Sequence, residues 1–317
     1  MNRQKKRFLY LLLTMLVVIS ALTGCGKKKE KPLSTTDRSG NSIEIPVKVE
    51  KIISMAPSTT RVLIDLGAAD KLVAVDTNSQ VYADSLPSDV QYFDMMSPDN
   101  EALIALEPDI IFTSGMSSFG GEDPFQPARD AGICVADIPS SASFQDISED
   151  LRFIGLAIRD EEGGKKLADQ FLSDAADLKS KTESITEKKT VLFMLSLPSA
   201  DYPSIYTFGK GTYMDEMITG INAVNVTGDQ ESWVSISEEE AIAMNPDVII
   251  TNVNYVDDPA NVIMTSPGWE NVTAVKNKAV YAIDADSSSQ PNNHIIEAMK
   301  EMAEDVYPDV FSNNGEE

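Results

Sequence analysis

A single histidine, His294, and two cysteines, Cys25 and Cys134, are the whole complement of those residue types in 317 residues. Capture of bare zinc or manganese normally draws on several histidines, so a site of that kind is disfavoured. Positive charge is scarce as well: 26 Lys and Arg stand against 50 Asp and Glu, a net of −24. Nucleic acid and anionic lipid headgroups both require a positive patch, and neither suits this chain as a partner by charge. The sequence contains no HExxH, GxGxxG, GxSxG or CxxC, and Gly209-Lys210-Gly211-Thr212 lacks the upstream glycine of a phosphate-binding loop. With so many acids, carboxylate pairs are uninformative, which leaves a secreted hydrolase built on Asp and Glu open as a rival function. The N-terminal apolar run, Phe8 to Leu22, is 15 residues, short of the roughly 20 that a membrane-crossing helix needs.

That run is preceded by Arg3, Lys5, Lys6 and Arg7 with no acid among them, the order of a signal peptide's charged and apolar regions. It ends in Leu22-Thr23-Gly24-Cys25, which resembles the lipobox of bacterial lipoprotein precursors. The resemblance implies cleavage after Gly24, a diacylated Cys25 as mature N-terminus, and residence at the outer face of the cell membrane. Loss of residues 1–24 removes four basic and no acidic residues, leaving 22 against 50 and a net of −28. Cys134 is then the sole free thiol, no intramolecular disulfide can form, and stability must come from an apolar core. Residues 25–42 are polar and charged and are expected to be a solvated tether, with the fold beginning near Ile43.

From there short β-branched runs alternate with helical patterns: Ile52 to Met55 as a strand, Ser58 to Leu66 as a helix capped by Ser58 or Thr59 and stopped by Gly67, and Leu72 to Val75 as a second strand. Strand, helix, strand at this spacing predicts an α/β fold with parallel sheets. A thirteen-residue segment, Glu101 to Thr113, aligns without gaps on Glu239 to Thr251 at an offset of 138. Each copy reads as a short helix opened by an acid, ended by Pro108 or Pro246, and followed by an Ile-rich strand. One repetition across half the chain predicts two similarly built lobes. Between the copies, Phe144 to about Glu187 reads as a long helical stretch broken at Gly163-Gly164, able to lie along both lobes and join them. The expected division is an N-terminal lobe over 43–145, a bridging region over 146–187 and a C-terminal lobe over 188–317.

The mature chain resembles the substrate-binding proteins of ABC importers for cobalamin, iron-siderophores and haem. The likeness rests on Asp37-Arg38-Ser39-Gly40, Ile52 through Thr60, Leu66 through Val75, both Pro-Asp repeats, and Trp269 through Tyr281. It implies two Rossmann-like lobes joined by one long rigid helix, a small-molecule chelate between them, no resident cofactor, and a monomer that delivers its ligand to a permease served by separate ATPase subunits. It also implies that Glu101 and Glu239 dock on permease arginines, although acids at helix N-termini also complement the helix dipole, worth about 0.3–1 kcal/mol each. Departures are Arg61, where the family often has an acid, and Gln290 to His294, where it often has an arginine-rich segment.

Loops at the carboxyl ends of the strands are expected to line the cleft. They offer Ser58, Tyr82, Met116, Tyr206 and Trp233 as ligand-binding residues, with Met95 and Met96 as an adaptable wall. None of the arginines at 38, 61, 129, 152 and 159 falls in those loops. That disfavours a highly anionic ligand and favours a corrinoid or a neutral hydroxamate siderophore; haem would need an axial donor such as Tyr82 or Tyr206. His294 is expected at the surface. For the anchor, Cys25→Ala is expected to leave ligand affinity unchanged and to impair uptake; normal uptake at normal expression would make the lipid dispensable.

Overall fold

The computed structural model describes residues 31–115, 117, 121, 123–199 and 202–311; the expected signal peptide over 1–24, Cys25 and Met116 lie outside them. The described chain opens with an antiparallel hairpin, β1 (Leu33–Thr36) and β2 (Ser42–Ile45), where a tether was expected. Its Asp37-Arg38-Ser39-Gly40 turn explains why it is ordered. Asp37 is buried and accepts from the backbone N–H groups of Ser39, Asn41 and Asp137, and Gly40 supplies the positive φ.

Next come β3 (Ile52–Ser54), α1 (Pro57–Asp65), β4 (Leu72–Asp76), β5 (Gln91–Phe93), α2 (Asn100–Ala105), β6 (Ile110–Ser114), α3 (Gln126–Asp130) and β7 (Cys134–Ile138). The five strands from β3 on form a parallel sheet in the order β5-β4-β3-β6-β7. Two helices follow, α4 (Phe144–Ala157) and α5 (Glu161–Thr182). The second lobe contains β8 (Thr190–Met194), β9 (Ser204–Phe208), α6 (Tyr213–Gly220), β10 (Val224–Asn225), β11 (Trp233–Ser237), α7 (Glu238–Met244), β12 (Val248–Thr251), α8 (Pro259–Thr265), α9 (Thr273–Lys276), β13 (Val280–Ala282), α10 (Ala285–Ser289), α11 (Ile295–Val306) and α12 (Pro308–Phe311). Its parallel sheet runs β10-β8-β12-β13, and β9 and β11 form a separate antiparallel ribbon. No helix among the described residues is long and apolar enough to cross a membrane.

Both parallel sheets are buried on two faces, and the period of two along each strand sorts side chains between them. Ile52, Ile110, Phe112, Val191, Phe193, Val248 and Ile250 face one large core that also contains the apolar faces of α4, α5 and α11. Their strand neighbours Ile53 and Ile111 face a smaller cluster with Leu103 and Phe125, while Leu192 and Ile249 face another with Trp269. The large core is therefore continuous from lobe to lobe.

The thirteen-residue repeat has a common physical basis in the two lobes. Glu107 and Asn245, each just before the proline, take left-handed conformations at φ 51° and 47° and close α2 and α7. The following aspartate then binds the start of the lobe's first strand. Asp109 accepts from the N–H groups of Glu50 and Lys51 at 2.8 and 2.9 Å, and Asp247 accepts from the Thr190 N–H at 2.9 Å.

The connection between lobes is an antiparallel helix pair. Its break falls at Ile158 to Asp160, where Arg159 has φ 67°, rather than at Gly163-Gly164. Asp160 caps α5 by accepting from Gly163 N–H, which starts the second helix before the glycines. The glycines serve the crossing instead: a Cβ on Gly164 would lie 2.7 Å from the Leu151 carbonyl oxygen and 2.8 Å from Gly155 Cα. With its 22 residues, α5 is about 33 Å long. Gly164→Ala would gain about 1 kcal/mol of helix propensity, but the backbone collision costs about 1–3 kcal/mol or more. The expected net result is a lower melting temperature on thermal unfolding; a rise would show that the crossing is loose.

Candidate functional site

Between the lobes lies a cleft of about 800 Å³. In the first lobe it opens where the strand order reverses between β3 and β6, the point at which neighbouring loops diverge and leave a crevice. Ala56 to Thr59 after β3, Ser114 and Gly115 after β6, and Pro139 to Ala142 after β7 line this side. Pro57 takes the first helical position of α1 and Ala56 its cap position, so Ser58 and Thr59 do not cap the helix as expected. The floor is α4, whose Ile147, Asp150, Leu151 and Ile154 share one helical face.

The opposite wall is aromatic. In the β9–β11 ribbon Trp233 pairs with Phe208 and Ser235 with Tyr206, which sets Tyr206 and Trp233 on the same face. Their rings stack with centroids 6.1 Å apart and planes at 17°. Phe208 and Tyr213 meet Trp233 edge-on at 6.3 and 6.4 Å. Both front rings are still 42–43% exposed, so a rigid apolar platform is presented to whatever enters. Gly209 lets the ribbon close, since a Cβ there would lie 2.2 Å from the Gln230 carbonyl oxygen.

The remaining lining is hydroxyls, amides and aliphatic carbons. Among the described residues Asp150 is the one charged side chain in it. Burial pushes the Asp150 carboxyl above its ordinary value, against hydrogen bonds from Ser141 and Arg38 that pull it down. Among the described residues no group of three His, Cys, Asp or Glu is placed to hold a metal ion. Burial raises the Cys134 thiol to about 11, which keeps it protonated and unreactive.

A polar latch joins the lobes beside the cleft. The Asp65 carboxylate at the end of α1 lies 2.8 Å from His294 Nε2 at the start of α11, and Asn293 Nδ2 donates to the same oxygen at 2.9 Å. His294 Nδ1 lies 3.0 Å from Glu297, and Arg61 pairs with Asp65 at 3.4 Å. Arg61 also covers the Tyr82 ring at 5.8 Å, and the buried Tyr82 donates its hydroxyl to Asp286 at 2.7 Å.

Ser58, Tyr206, Trp233 and Met95 thus line the cleft, whereas Tyr82 does not. Its hydroxyl is spent across the lobe junction, where Arg61 and Asp286 give a large polar ring better partners than the cleft offers. Glu101 and Glu239 sit exposed on separate lobes. Next to Glu239, Glu238 accepts from Trp269 Nε1 at 2.6 Å and Glu240 completes a capping box with Ser237. His294, expected at the surface, is half-buried in the latch. Asp150 was missed, although an acid three residues after Ile147 and four before Ile154 on a helix was a visible signal.

Two α/β lobes holding an aromatic-walled cleft with one charged side chain among its described lining residues define a binding protein for a small molecule. The chain belongs to the family described as Periplasmic binding protein, whose profile matches residues 52–287. It is 32% identical over 314 residues, 94% of this chain and 96% of the other, to the uncharacterized ABC transporter substrate-binding lipoprotein YvrC of Bacillus subtilis strain 168. A vitamin B12-binding protein of Vibrio cholerae is 25% identical over 260 residues, covering 81% and 89% of the two chains. Among solved structures, that of a possible iron-binding periplasmic solute-binding protein from Staphylococcus epidermidis superposes with a TM-score of 0.71 at 28% identity, over 82% of this chain and 99% of that one.

The latch makes stability depend on pH. The Asp65 hydrogen bond raises His294 despite desolvation, so its contribution is complete below the unfolded value of about 6.5 and is lost as pH rises through the higher folded value. Asp65 is held below its ordinary value, since the bonds from His294 and Asn293 outweigh burial. Its contribution is present above about pH 4 and is lost as pH falls through the folded value. The latch is therefore strongest between about pH 4 and 6.5. His294→Gln is expected to cost most stability in that window and progressively less as pH rises above it, measured by urea unfolding; a pH-independent difference would contradict the ion pair.

Proposed function

We propose that this protein is the extracytoplasmic binding component of an ABC importer, held at the outer face of the bacterial membrane through lipid on Cys25. Its cargo on this reading is an uncharged metal chelate, a corrinoid or a hydroxamate iron-siderophore, which it passes to a permease with separate ATPase subunits. The observation that carries the reading is the cleft: about 800 Å³, walled by the Tyr206–Trp233 stack, with its one described acid already hydrogen-bonded. A site of this size accommodates a bulky ligand through apolar area, with a few hydroxyls and amides for orientation. The vitamin B12-binding relative favours a corrinoid and the possible iron-binding neighbour an iron chelate. Haem remains the second ligand class, with Tyr206 as its candidate donor now that the Tyr82 hydroxyl is engaged by Asp286.

Two experiments test this. Tryptophan fluorescence titrated with cyanocobalamin and with ferrichrome is expected to give saturable one-to-one quenching by at least one of them, without chemical turnover. Trp269 is buried, so Trp233→Phe should remove the signal. Binding to neither compound, or product formation, would overturn the reading. Glu101→Arg with Glu239→Arg is expected to abolish uptake while leaving affinity within about twofold; lost affinity would sink the docking role.

A further inference from the structure

Arg38 belongs to the N-terminal hairpin, yet its side chain ends beneath the ligand cleft. Nε donates to Asp150 Oδ1 at 2.5 Å, Nη1 to Glu149 Oε2 at 2.7 Å, and Nη2 lies 3.9 Å from Asp146. The other Asp150 oxygen accepts the Ser141 hydroxyl at 2.6 Å. Asp150 and Ser141 both line the cleft, and the Asp150 side chain is 8% exposed. One guanidinium therefore stands against three carboxylates, of which Asp150 lines the cleft, and among the described residues it is the one cation paired with Asp150. The backbone holds it there: Arg38 N–H donates to the Asp137 carbonyl at 3.1 Å, and the Asp37 turn fixes the loop that carries it.

We propose that Arg38 sets the electrical charge of the ligand cleft, neutralising Asp150 so that the site takes uncharged chelates in preference to cationic ones. The inference deepens the transport reading and, for ligand choice, rests on it. A buried carboxylate whose cation is removed projects an uncompensated charge into a site of low dielectric, where attraction for a cation and the cost of covering the charge with a neutral ligand both grow. With Arg38 present both effects are reduced, because Asp150, the carboxylate that lines the cleft, has the guanidinium against it. The raised Asp150 carboxyl agrees with a group that depends on its partners to stay ionised.

The test uses two matched pairs of probes in equilibrium dialysis of the full chain: neutral cyanocobalamin with monocationic aquacobalamin, and neutral ferrichrome with monocationic ferrioxamine B. Wild type is expected to favour the neutral member of the pair it binds. Arg38→Met should shift the neutral-to-cation affinity ratio about tenfold toward the cation, the effect of one charge roughly 12 Å away at an effective dielectric near 20. Asp150→Asn, which removes the one carboxylate that lines the cleft while Glu149 and Asp146 still face Arg38, should shift the ratio the other way, and the double variant should return it to within about threefold of wild type. An unchanged ratio in a folded Arg38→Met protein, or a shift in the same direction for Asp150→Asn, overturns the proposal. If Arg38→Met does not fold, Asp150→Asn alone decides by the direction of its shift. If wild type binds none of the four probes, the transport reading fails, and carboxyl-detected NMR of Asp150 decides this one. Arg38→Lys should then keep the Asp150 titration within about half a unit of wild type, while Arg38→Gln raises it by a unit or more. Equal titrations in the two variants overturn the proposal.

Discussion

The two helices that connect the lobes, α4 and α5, cross at the contact of Gly155 with Gly164, where neither position has room for a Cβ. Interiors are close-packed and respond to a single added methyl group, so a crossing this close admits one spacing. The continuous core carries that spacing into both lobes, because the inner strand residues Phe112 and Phe193 pack with the same helix pair. The Asp65–His294 latch and the Tyr82–Asp286 bond then tie the lobes at a second place. Lobes joined by shared apolar packing and by polar ties meet a ligand in a largely formed cleft, and the ordering cost at binding is correspondingly small.

The chemistry of that cleft follows from which residues the scaffold leaves unpaired. Tyr206 and Trp233 are stacked on one another, Phe208 and Tyr213 meet Trp233 edge-on, and the stacked rings line the cleft. Hydroxyls and backbone groups from the first lobe line the other side. Charge is present but answered internally, as Arg38 and Ser141 saturate Asp150. Strong acidity over the rest of the molecule coexists with this quiet interior, and the two exposed acids Glu101 and Glu239 belong to that outer surface.

Much of the fold was legible because it is local. The period-two strands, the prolines that end α2 and α7, and the repeated Pro-Asp corner all express backbone preferences within a dozen residues, and the repeat foretold two lobes. The aspartates' ties to Lys51 and Thr190 were not readable, since each spans more than fifty residues. The same distance hid Arg38–Asp150, 112 residues apart, and Asp65–His294, 229 apart. Ser58, Tyr206 and Trp233 could be placed at the cleft lining because strand ends and an aromatic in a polar setting are sequence signals. Tyr82 carried the same signal, but its hydroxyl found Asp286 and its ring found Arg61, and those partnerships exist only in three dimensions.

The central claim is that the fixed cleft receives an uncharged metal chelate. Native mass spectrometry of the full chain, purified from its own host without refolding, addresses it most directly. The account requires one bound corrinoid or iron chelate of zero net charge per chain, released when the protein is unfolded. A retained ligand bearing several carboxylates or phosphates, or one that leaves as a chemically altered product, would contradict it.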